Sequence, residues 1–364
     1  MGTALQATQR TPPRADAEGR CPGPRDDISS ARLRITHLAR ASCFCSIDPF
    51  ERENIVDLHV GMIGLGRMGA NMARRVARGG AQVIGFDPDP AARAALAGSA
   101  GCSVVEDMAA LIHALPSPRI VWLMVPAGEH TEETIAALAP QLLAEDVIVD
   151  GGNAFYKDSV RRAVELTSYG IRFVDCGVSG GIWGLEEGFA LMFGGSPAAA
   201  RAIEPIVKLL APAPDRGWLH CGPSGSGHFV KMIHNGVEYG MMQSLAEGLA
   251  LLKGKAEFEL DVAAVAEMWR HGSVVRSWLL DLTAQFLRED VELSDIAPLV
   301  ADSGEGRWTV NEAIEQGIPA PVLSLALMMR LASQGKGEYA DRLLAMMRKG
   351  FGGHKVTPVV KNKS

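Results

Sequence analysis

The sequence contains no CxxC pair, no apolar run long enough to cross a bilayer, and no excess of positive charge. Six cysteines occur among 364 residues, and those in the part that we expect to fold, Cys102, Cys176 and Cys221, stand alone. Isolated cysteines do not build a disulfide framework or a zinc site, so we expect a reduced, cytoplasmic protein without a metal. No stretch approaches the ~20 apolar residues of a membrane span. The net charge of −6 argues against general affinity for nucleic acid.

Residues 1–57 differ in character from the rest, with arginine but no lysine and no sustained apolar period. The segment lacks the apolar core of a secretory signal, and its acidic residues do not suit an organellar transit peptide. We expect a disordered or non-native extension, with the native chain starting at Leu58, and exclude the segment from fold reasoning.

From His59 onward, short β-like runs alternate with segments of helical periodicity. The apolar runs are "HVGMIGL", "AQVIGFD", "RIVWLMV", "DVIVDGG" and "IRFVDCG". This alternation predicts a doubly wound, mostly parallel sheet, an α/β domain of the Rossmann type.

A glycine pattern of the GxGxxG type marks the first strand-to-helix turn. Its residues are Gly64, Leu65, Gly66, Arg67, Met68 and Gly69. The first glycine permits a tight turn, the second lets the backbone approach a pyrophosphate, and the third packs helix against strand. The alternative is a tight turn without a ligand. Because the pattern follows a strand and opens a helix, we predict a nicotinamide dinucleotide site.

Asp87 ends the second predicted strand, about 20 residues beyond the first glycine, where a carboxylate accepts from both ribose hydroxyls. A carboxylate also repels a 2′-phosphate, and the nearest base, Arg93, lies in the following helix. We therefore expect NAD to be preferred, with NADP as a second cofactor. Two further loops at strand ends are expected to line the cofactor site. Their residues are Val125, Pro126, Ala127 and Asn153.

Beyond the sheet region the pattern is helical almost to the end of the chain. A glycine-rich turn leads into one long predicted helix that begins near "HFVKMIHNGVEYG". We predict a Rossmann-like NAD-binding domain at 58–224, an all-helical domain for substrate and oligomerisation at 225–355, and a tail at 356–364.

The long helix carries polar residues where a helix normally carries its core. Lys231, His234, Asn235, Glu238 and Tyr239 follow the i, i+3, i+4, i+7, i+8 spacing of one face. One interpretation is a satisfied network in a domain interface. Burying Lys and Glu together is costly, so we favour a cleft in which a polar ligand supplies the partners.

A second candidate element for this cleft is a loop after the fifth predicted strand. The backbone N–H groups of Ser179, Gly180 and Gly181 in "VSGG" are suited to gripping a carboxylate.

Taken together, "GLGRMG", "VSGG" and "KMIHNGVEYG" resemble the decarboxylating 6-phosphogluconate dehydrogenase family, with its shorter bacterial branch nearest. The resemblance runs from about His59 to Lys355. The wider 3-hydroxyacid dehydrogenase superfamily shares the glycine turn, the SGG loop and Lys followed by Asn. The narrower pattern K-x-x-H-N-x-x-E-Y is matched in full.

The resemblance implies oxidative decarboxylation of 6-phosphogluconate to ribulose 5-phosphate and CO₂, in the pentose phosphate pathway and gluconate utilisation. Neutral Lys231 would accept the 3-hydroxyl proton as hydride leaves C3, with its pKa lowered by a desolvating cleft and neighbouring positive charge. Protonated Lys231 would then polarise the new carbonyl, and Glu238 would protonate C1 of the enediol. Asn235, His234 and the VSGG loop would orient the carboxylate and hydroxyls.

The resemblance also implies a shared active site in a homodimer or homotetramer. "RKGFGGH" is similar to a family tail that enters a neighbouring subunit's site, which would supply Arg348 and His354. An ordinary helix end is the alternative. Arg330 and Tyr239 would hold the phosphate. One departure is Ser303, which stands where longer members carry a phosphate-binding lysine.

Two rival functions remain at this stage. A dehydrogenase of a smaller, unphosphorylated acid such as 3-hydroxyisobutyrate would have no use for a C1 proton donor, which Glu238 provides. A non-enzymatic NAD-binding sensor would need neither a base nor an acid, since a fold alone does not fix a function.

Overall fold

The structure is a computed structural model, and it describes residues 58–352 and 355–358. The extension predicted at 1–57 lies outside the described residues. Residues 58–222, the first part of the described chain, contain eight strands and seven α-helices. They are β1 (His59–Ile63), α1 (Arg67–Arg78), β2 (Gln82–Phe86), α2 (Pro90–Leu96), β3 (Cys102–Val104), α3 (Met108–Ala114), β4 (Ile120–Leu123), α4 (Glu129–Leu138), β5 (Val147–Asp150), α5 (Tyr156–Thr167), β6 (Arg172–Ser179), α6 (Gly184–Glu187), β7 (Ala190–Gly195), α7 (Pro197–Leu210) and β8 (Trp218–Gly222).

The later part of the described chain is helical. Its helices are α8 (Ser226–Gly254), α9 (Val262–Trp269), α10 (Trp278–Glu289), α11 (Glu305–Gln316), α12 (Pro321–Ser333) and α13 (Glu338–Gly352). No helix in the described part of the chain is long and apolar enough to cross a membrane.

The eight strands form one sheet in the order β3-β2-β1-β4-β5-β6-β7-β8. Neighbouring strands are parallel except for β6 and β7, which run antiparallel. The first six strands have the order 3-2-1-4-5-6 of dinucleotide-binding sheets. The prediction of a Rossmann-like domain followed by a helical domain is therefore confirmed.

Apolar residues fill both faces of the sheet because successive strand side chains point to opposite sides. Along β5, Val147 and Val149 belong to one buried cluster, and Ile148 belongs to the other. The carboxyl ends of the parallel strands are left as a common edge where loops meet, which is where such sheets bind ligands.

Two smaller cores hold the helical domain. Leu249 at the far end of α8 packs with Ala266 of α9 and Leu280 of α10. Nearer the sheet, Tyr239 of α8 packs with Val310 of α11 and Leu327 of α12. Helices α9, α10, α11 and α12 therefore all pack in clusters that include α8.

Glycines let α8 lie directly against the sheet. A Cβ at Gly227 would come within 2.4 Å of the Asp175 carbonyl oxygen, and one at Gly177 would come within 2.2 Å of Lys231 Cβ. The Asp175 carboxylate accepts from the backbone N–H groups of Gly225 (2.6 Å) and His228 (2.8 Å) at the start of α8. This capping pins the helix to β6 and so fixes the height of its polar face above the sheet.

Candidate active site

A cleft of about 1970 Å³ lies along the carboxyl ends of β1, β2, β4, β5 and β6 and continues between α8, α10 and the start of α11. Most of the residues predicted for the site line it. They are Gly64, Gly66, Met68, Asp87, Val125, Pro126, Ala127, Asn153, Ser179, Gly180, Gly181, Lys231, His234, Asn235, Glu238, Tyr239 and Arg330. Leu65, Arg67, Gly69 and Arg348 are not among the lining residues.

The glycine turn leaves room for a ligand group to lie directly against the backbone. Gly64 has φ +92° and donates its N–H to the Phe86 carbonyl (2.9 Å), which closes the turn. A Cβ at Gly69 would lie 1.9 Å from the Gly64 oxygen, so that helix α1 packs tightly on the turn. A Cβ at Gly66 would meet no described atom within 4 Å and would occupy cleft space instead. The turn therefore fits a pyrophosphate at the start of α1, where no described side chain caps the helix.

Asp87 holds the turn as well as facing the cleft. Its Oδ2 accepts from the Leu65 N–H (2.7 Å) and its Oδ1 accepts from the Asp89 N–H (2.8 Å). Each carboxylate oxygen keeps a second acceptor position for a ribose hydroxyl. Arg93 donates to the Asp87 carbonyl (2.8 Å) and to Glu106 (2.8 Å), so its guanidinium is already engaged.

Lys231 is largely withdrawn from water on the sheet side of α8. Burial is the main cause that lowers its pKa from the ordinary value of 10.5. Two carboxylates, Glu238 and Glu305, act in the opposite direction and raise the pKa. The expected neighbouring positive charge has no counterpart among the described residues, whose charges at this lysine are the two carboxylates.

The middle of the polar face is a short hydrogen-bonded chain. His234 Nδ1 lies 3.1 Å from Asn235 Oδ1 and 3.9 Å from Glu238 Oε2. Its other nitrogen, Nε2, lies 3.4 Å from Ser179 Oγ at the end of β6. The imidazole therefore connects the VSGG loop to the face of α8. Gly180 (φ +133°) and Gly181 (φ +54°) hold that loop in a backbone shape that favours glycine.

Tyr239 and Arg330 form the far end of the cleft. The Arg330 guanidinium carbon lies 3.5 Å from the centre of the Tyr239 ring, a cation–π contact. Arg330 also donates to the Ala301 carbonyl (3.1 Å), and the Tyr239 hydroxyl lies 3.4 Å from Asp302 Oδ1. The loop before α11 thus wraps around the tyrosine and brings Ser303 to the cleft.

Sequence reasoning missed two residues of this site. Glu305 is buried, with 2% exposure, and still lines the cleft. Gly177 lies beneath Lys231, where any side chain would displace the lysine stem. No periodic pattern marks Glu305 in "GEG" or Gly177 in "CGV", because their contacts with α8 join parts of the chain that are far apart in sequence.

Of the two residues predicted in the tail, the structure describes Arg348 but not His354. Arg348 lies exposed on α13 and is not part of the cleft wall of its own chain. His354 lies outside the described residues. Among the residues that the structure describes, no group of three or more His, Cys, Asp or Glu side chains is placed to hold a metal ion.

The sheet order, the glycine turn and the polar cleft define a two-domain dehydrogenase that uses a nicotinamide nucleotide. Two family models match this chain, the NAD binding domain of 6-phosphogluconate dehydrogenase over residues 59–221 and the 6-phosphogluconate dehydrogenase C-terminal domain over residues 227–357. The chain therefore belongs to the 6-phosphogluconate dehydrogenase family.

Individual relatives agree with this placement. A Haloferax volcanii protein named NAD(+)-dependent, decarboxylating 6-phosphogluconate dehydrogenase is 43% identical over 300 residues, which cover 82% of this chain and 98% of that protein. Plasmodium falciparum 6-phosphogluconate dehydrogenase, solved without ligand, with NADP+ and with 6-phosphogluconate, matches with a TM-score of 0.71 and 28% identity, covering 85% of this chain and 67% of that one. Salmonella typhimurium 3-hydroxyisobutyrate dehydrogenase shares the fold, with a TM-score of 0.64 at 21% identity over 77% of this chain and 95% of that one.

Proposed function

We propose that the protein catalyses the oxidative decarboxylation of 6-phospho-D-gluconate to D-ribulose 5-phosphate and CO₂, with NAD as its preferred hydride acceptor. The observation that carries the proposal is the pairing of Lys231 and Glu238 on one face of α8, in the same cleft as the dinucleotide turn. The two residues are two helical turns apart, about 10 Å along the axis, which suits action at two different carbons of one sugar acid.

The cofactor would be held by residues at the strand ends. Gly64, Gly66 and Gly69 shape the turn for the pyrophosphate, and Asp87 accepts from the ribose hydroxyls. Val125, Pro126, Ala127 and Asn153 supply the wall beside the nicotinamide. When bound, the nicotinamide supplies the acceptor for the hydride from C3. The Asp87 carboxylate and the engaged Arg93 favour NAD over NADP, which agrees with the NAD(+)-dependent name of the Haloferax volcanii relative.

Lys231 acts first as a base. Its lowered pKa makes the neutral amine more accessible, and Nζ takes the proton of the 3-hydroxyl as the C3 hydrogen leaves as hydride. The product is a β-keto acid. Protonated Lys231 then returns that proton to the C3 oxygen while the C1–C2 bond breaks and CO₂ leaves, which yields an enediol.

Glu238 acts second as an acid. In its protonated form it delivers a proton to the carbon that lost CO₂, which becomes C1 of ribulose 5-phosphate, while the hydroxyl on the neighbouring carbon returns its proton to Lys231. His234, 3.9 Å from the Glu238 carboxyl, and Asn235 orient the hydroxyls. Ser179, Gly180 and Gly181 bind the substrate carboxylate through backbone N–H groups.

A single chain supplies few positive charges for the phosphate of the substrate. Tyr239 and Arg330 face it, and Arg348 and His354 of a neighbouring subunit complete its site. A homodimer or homotetramer is supported by the apolar side chains that α12 and α13 leave exposed. Examples are Leu325, Met328, Leu344, Met346 and Met347.

The free cysteines of the described chain suit a cytoplasmic location.

The test compares initial rates with 6-phosphogluconate and with 3-hydroxyisobutyrate, each with NAD and with NADP. We expect turnover of 6-phosphogluconate with kcat/KM higher for NAD. Preferred turnover of 3-hydroxyisobutyrate would replace the proposed substrate by a small unphosphorylated acid. Absence of turnover with any hydroxyacid would favour a protein that binds NAD without catalysis.

A further inference from the structure

A third carboxylate, Glu305, faces the cleft beside the two residues assigned to catalysis. It begins helix α11, which packs against α8, and it lines the same cleft as the polar face of α8. Its residue is 2% exposed, whereas the Glu238 side chain is 42% exposed. An acidic side chain this deeply buried in a substrate cleft needs either a partner cation or a function.

The position of Glu305 is fixed from several directions. Ser303 Oγ donates to Glu305 Oε2 at 2.6 Å. Gly306, the next residue, lies so close to the Tyr239 ring that a Cβ there would be 2.4 Å from it. Thr309 Oγ1, one turn later, donates to the Met232 carbonyl of α8 (2.9 Å). The start of α11 is therefore held against α8 through Gly306 and Thr309, the residues that follow the carboxylate.

Two features of this position are favourable for a carboxylate. The residue lies in the first turn of a helix, where the helix dipole stabilises an anion. The Ser303 hydroxyl donates to it, which also stabilises the anion. Glu238 has no such arrangement and must change its protonation state during the proposed reaction, so it cannot serve as a permanent counter-charge.

We propose that Glu305 is a positioning residue for the catalytic base: its fixed carboxylate stabilises the ammonium that forms on Lys231 when the 3-hydroxyl gives up its proton. The effect belongs to the class of electrostatic preorganisation, in which a charge is placed where the opposite charge develops. The proposal rests on the proposed function for the identity of the reaction, and on the geometry of α8 and α11 for the pairing.

The elements packed against α8 carry other titratable groups. They include Asp175 and Cys176 on β6, His220 and Cys221 on β8, Tyr156, Lys157, Asp158, Arg161, Arg162 and Glu165 on α5, Arg307, Glu312 and Glu315 on α11, and Arg330 on α12, besides His228, His234 and Glu238 on α8 itself. Several are engaged elsewhere. Asp175 binds backbone N–H groups, and Glu312 binds Tyr156 and Gln316. Glu238 and Glu305 are the groups whose charge raises the pKa of Lys231.

The test measures the titration of Lys231 directly. Competitive labelling with acetic anhydride across a pH series, followed by mass spectrometry of the Lys231 peptide, reports the neutral fraction of the amine without any substrate. Glu305→Gln keeps the size of the side chain and removes its charge. We expect the pKa of Lys231 to fall by about one unit, the size of effect typical for one nearby opposite charge.

The same variant is then assayed with 6-phosphogluconate. Because activity needs neutral Lys231, the acidic limb of the kcat/KM profile should move to lower pH by the same amount, while kcat on the plateau falls. Glu312→Gln is the matched control, since it removes another buried carboxylate from the same helix. It should leave both titrations at their wild-type positions. Glu305→Asp, which keeps the charge, should recover most of the wild-type pKa.

The outcomes separate this inference from the proposed function. An unchanged Lys231 titration in folded Glu305→Gln, or an equal shift in Glu312→Gln, would overturn the role of Glu305. A shifted titration without turnover of 6-phosphogluconate by the wild-type enzyme would leave the pairing of Glu305 with Lys231 in place and overturn the substrate instead. If Glu305→Gln fails to fold by circular dichroism, Glu305→Ala takes its place as the charge-removing variant, and an unchanged Lys231 titration in folded Glu305→Ala contradicts the proposal.

Discussion

Lys231 is the residue whose chemistry depends most on its surroundings. Its stem lies against Gly177, and burial lowers its pKa from 10.5. We expect Lys231→Met to reduce kcat about 10²- to 10⁴-fold, the usual contribution of general acid–base catalysis, with little effect on NAD affinity. Since the neutral amine is the active form, wild-type kcat/KM should rise with pH through this lowered pKa, and the variant should lose that limb.

Lys253→Met is the matched control for that substitution. Lys253 is on the same helix and forms an ion pair with Glu292 at 2.6 Å, away from the cleft. It should retain the wild-type rate and pH profile. Retention of both by Lys231→Met would remove the lysine from the mechanism.

Asp87 is expected to set the choice of cofactor. Asp87→Ser removes the charge that repels a 2′-phosphate, so the ratio of kcat/KM for NAD to that for NADP should fall by about tenfold or more. Absolute activity should fall with both cofactors, because the carboxylate also accepts from the Leu65 N–H. Steady-state kinetics with each cofactor at fixed ionic strength measures the ratio.

The neighbouring carboxylate provides the comparison. Asp89 accepts from the Ala91 N–H at the start of α2 and is not among the cleft residues. Asp89→Ser should leave the cofactor ratio unchanged. An unchanged ratio in Asp87→Ser would mean that discrimination lies elsewhere in the cleft.

The period of the α8 stripe was sufficient to predict that its five polar side chains share a cleft, and all five line it. Glu305 and Gly177 were not predictable in this way, because their roles arise from contacts between α11, β6 and α8 that no local pattern encodes. The influence of Glu305 on Lys231 was not predictable for the same reason, since Glu305 lies on another helix.

At the scale of elements, the position of α8 depends on its close approach to β6. Gly177→Ala places a methyl group where Lys231 Cβ and Cγ now lie, at 2.2 and 2.8 Å. We expect a loss of about 1–3 kcal/mol in the free energy of unfolding, as for other overpacked contacts. We also expect kcat to fall more than KM rises, because the base moves relative to C3. Urea unfolding and steady-state kinetics measure the two effects.

Gly248→Ala tests the same substitution on α8 without the contact. A Cβ at that position would meet no described atom within 4 Å. This variant should be as stable as the wild type or slightly more stable, because alanine is the better helix former, and its kcat should be unchanged. Equal kinetics for the two variants would show that the approach of α8 to β6 does not position the lysine.

Long or strongly periodic elements were predictable from sequence, and short or weakly patterned ones were not. Helix α8 and the five central strands follow clear patterns. Strand β3 has three residues, and β7 ends in two glycines, so neither carries a strand period. Helix α11 begins with "EGRW", a sequence typical of a loop, and Gly306 in it packs on Tyr239.

At the scale of the whole molecule, the proposal requires that one subunit complete the site of another. Variants Lys231→Ala and Arg348→Ala should each be inactive or nearly so alone. When the two are unfolded together and refolded, a dimer with shared sites should recover about one quarter of wild-type activity, because half of the dimers are mixed and each mixed dimer contains one intact site.

Refolding each variant alone is the control, and light scattering gives the mass of the assembly. Recovery in the mixture with no recovery in either control supports the shared site. Full activity of Arg348→Ala alone, or a monomer with full activity, would contradict it.

The two-domain order was predictable from the switch between βα alternation and helical period. The assembly was not predictable in this way, because it depends on contacts with another subunit, and no periodic pattern in the sequence marks those contacts.

The central claim is that hydride transfer and loss of CO₂ occur on one substrate in one cleft. The most direct measurement supplies 6-phosphogluconate labelled with carbon-13 at C1, together with NAD, and follows the label by NMR while the absorbance of reduced nicotinamide is recorded. We expect labelled CO₂ and bicarbonate in one-to-one ratio with reduced NAD, with unlabelled ribulose 5-phosphate as the other product. Reduced NAD with the label retained in a keto acid would contradict it, since Lys231 would then act as a base without decarboxylation.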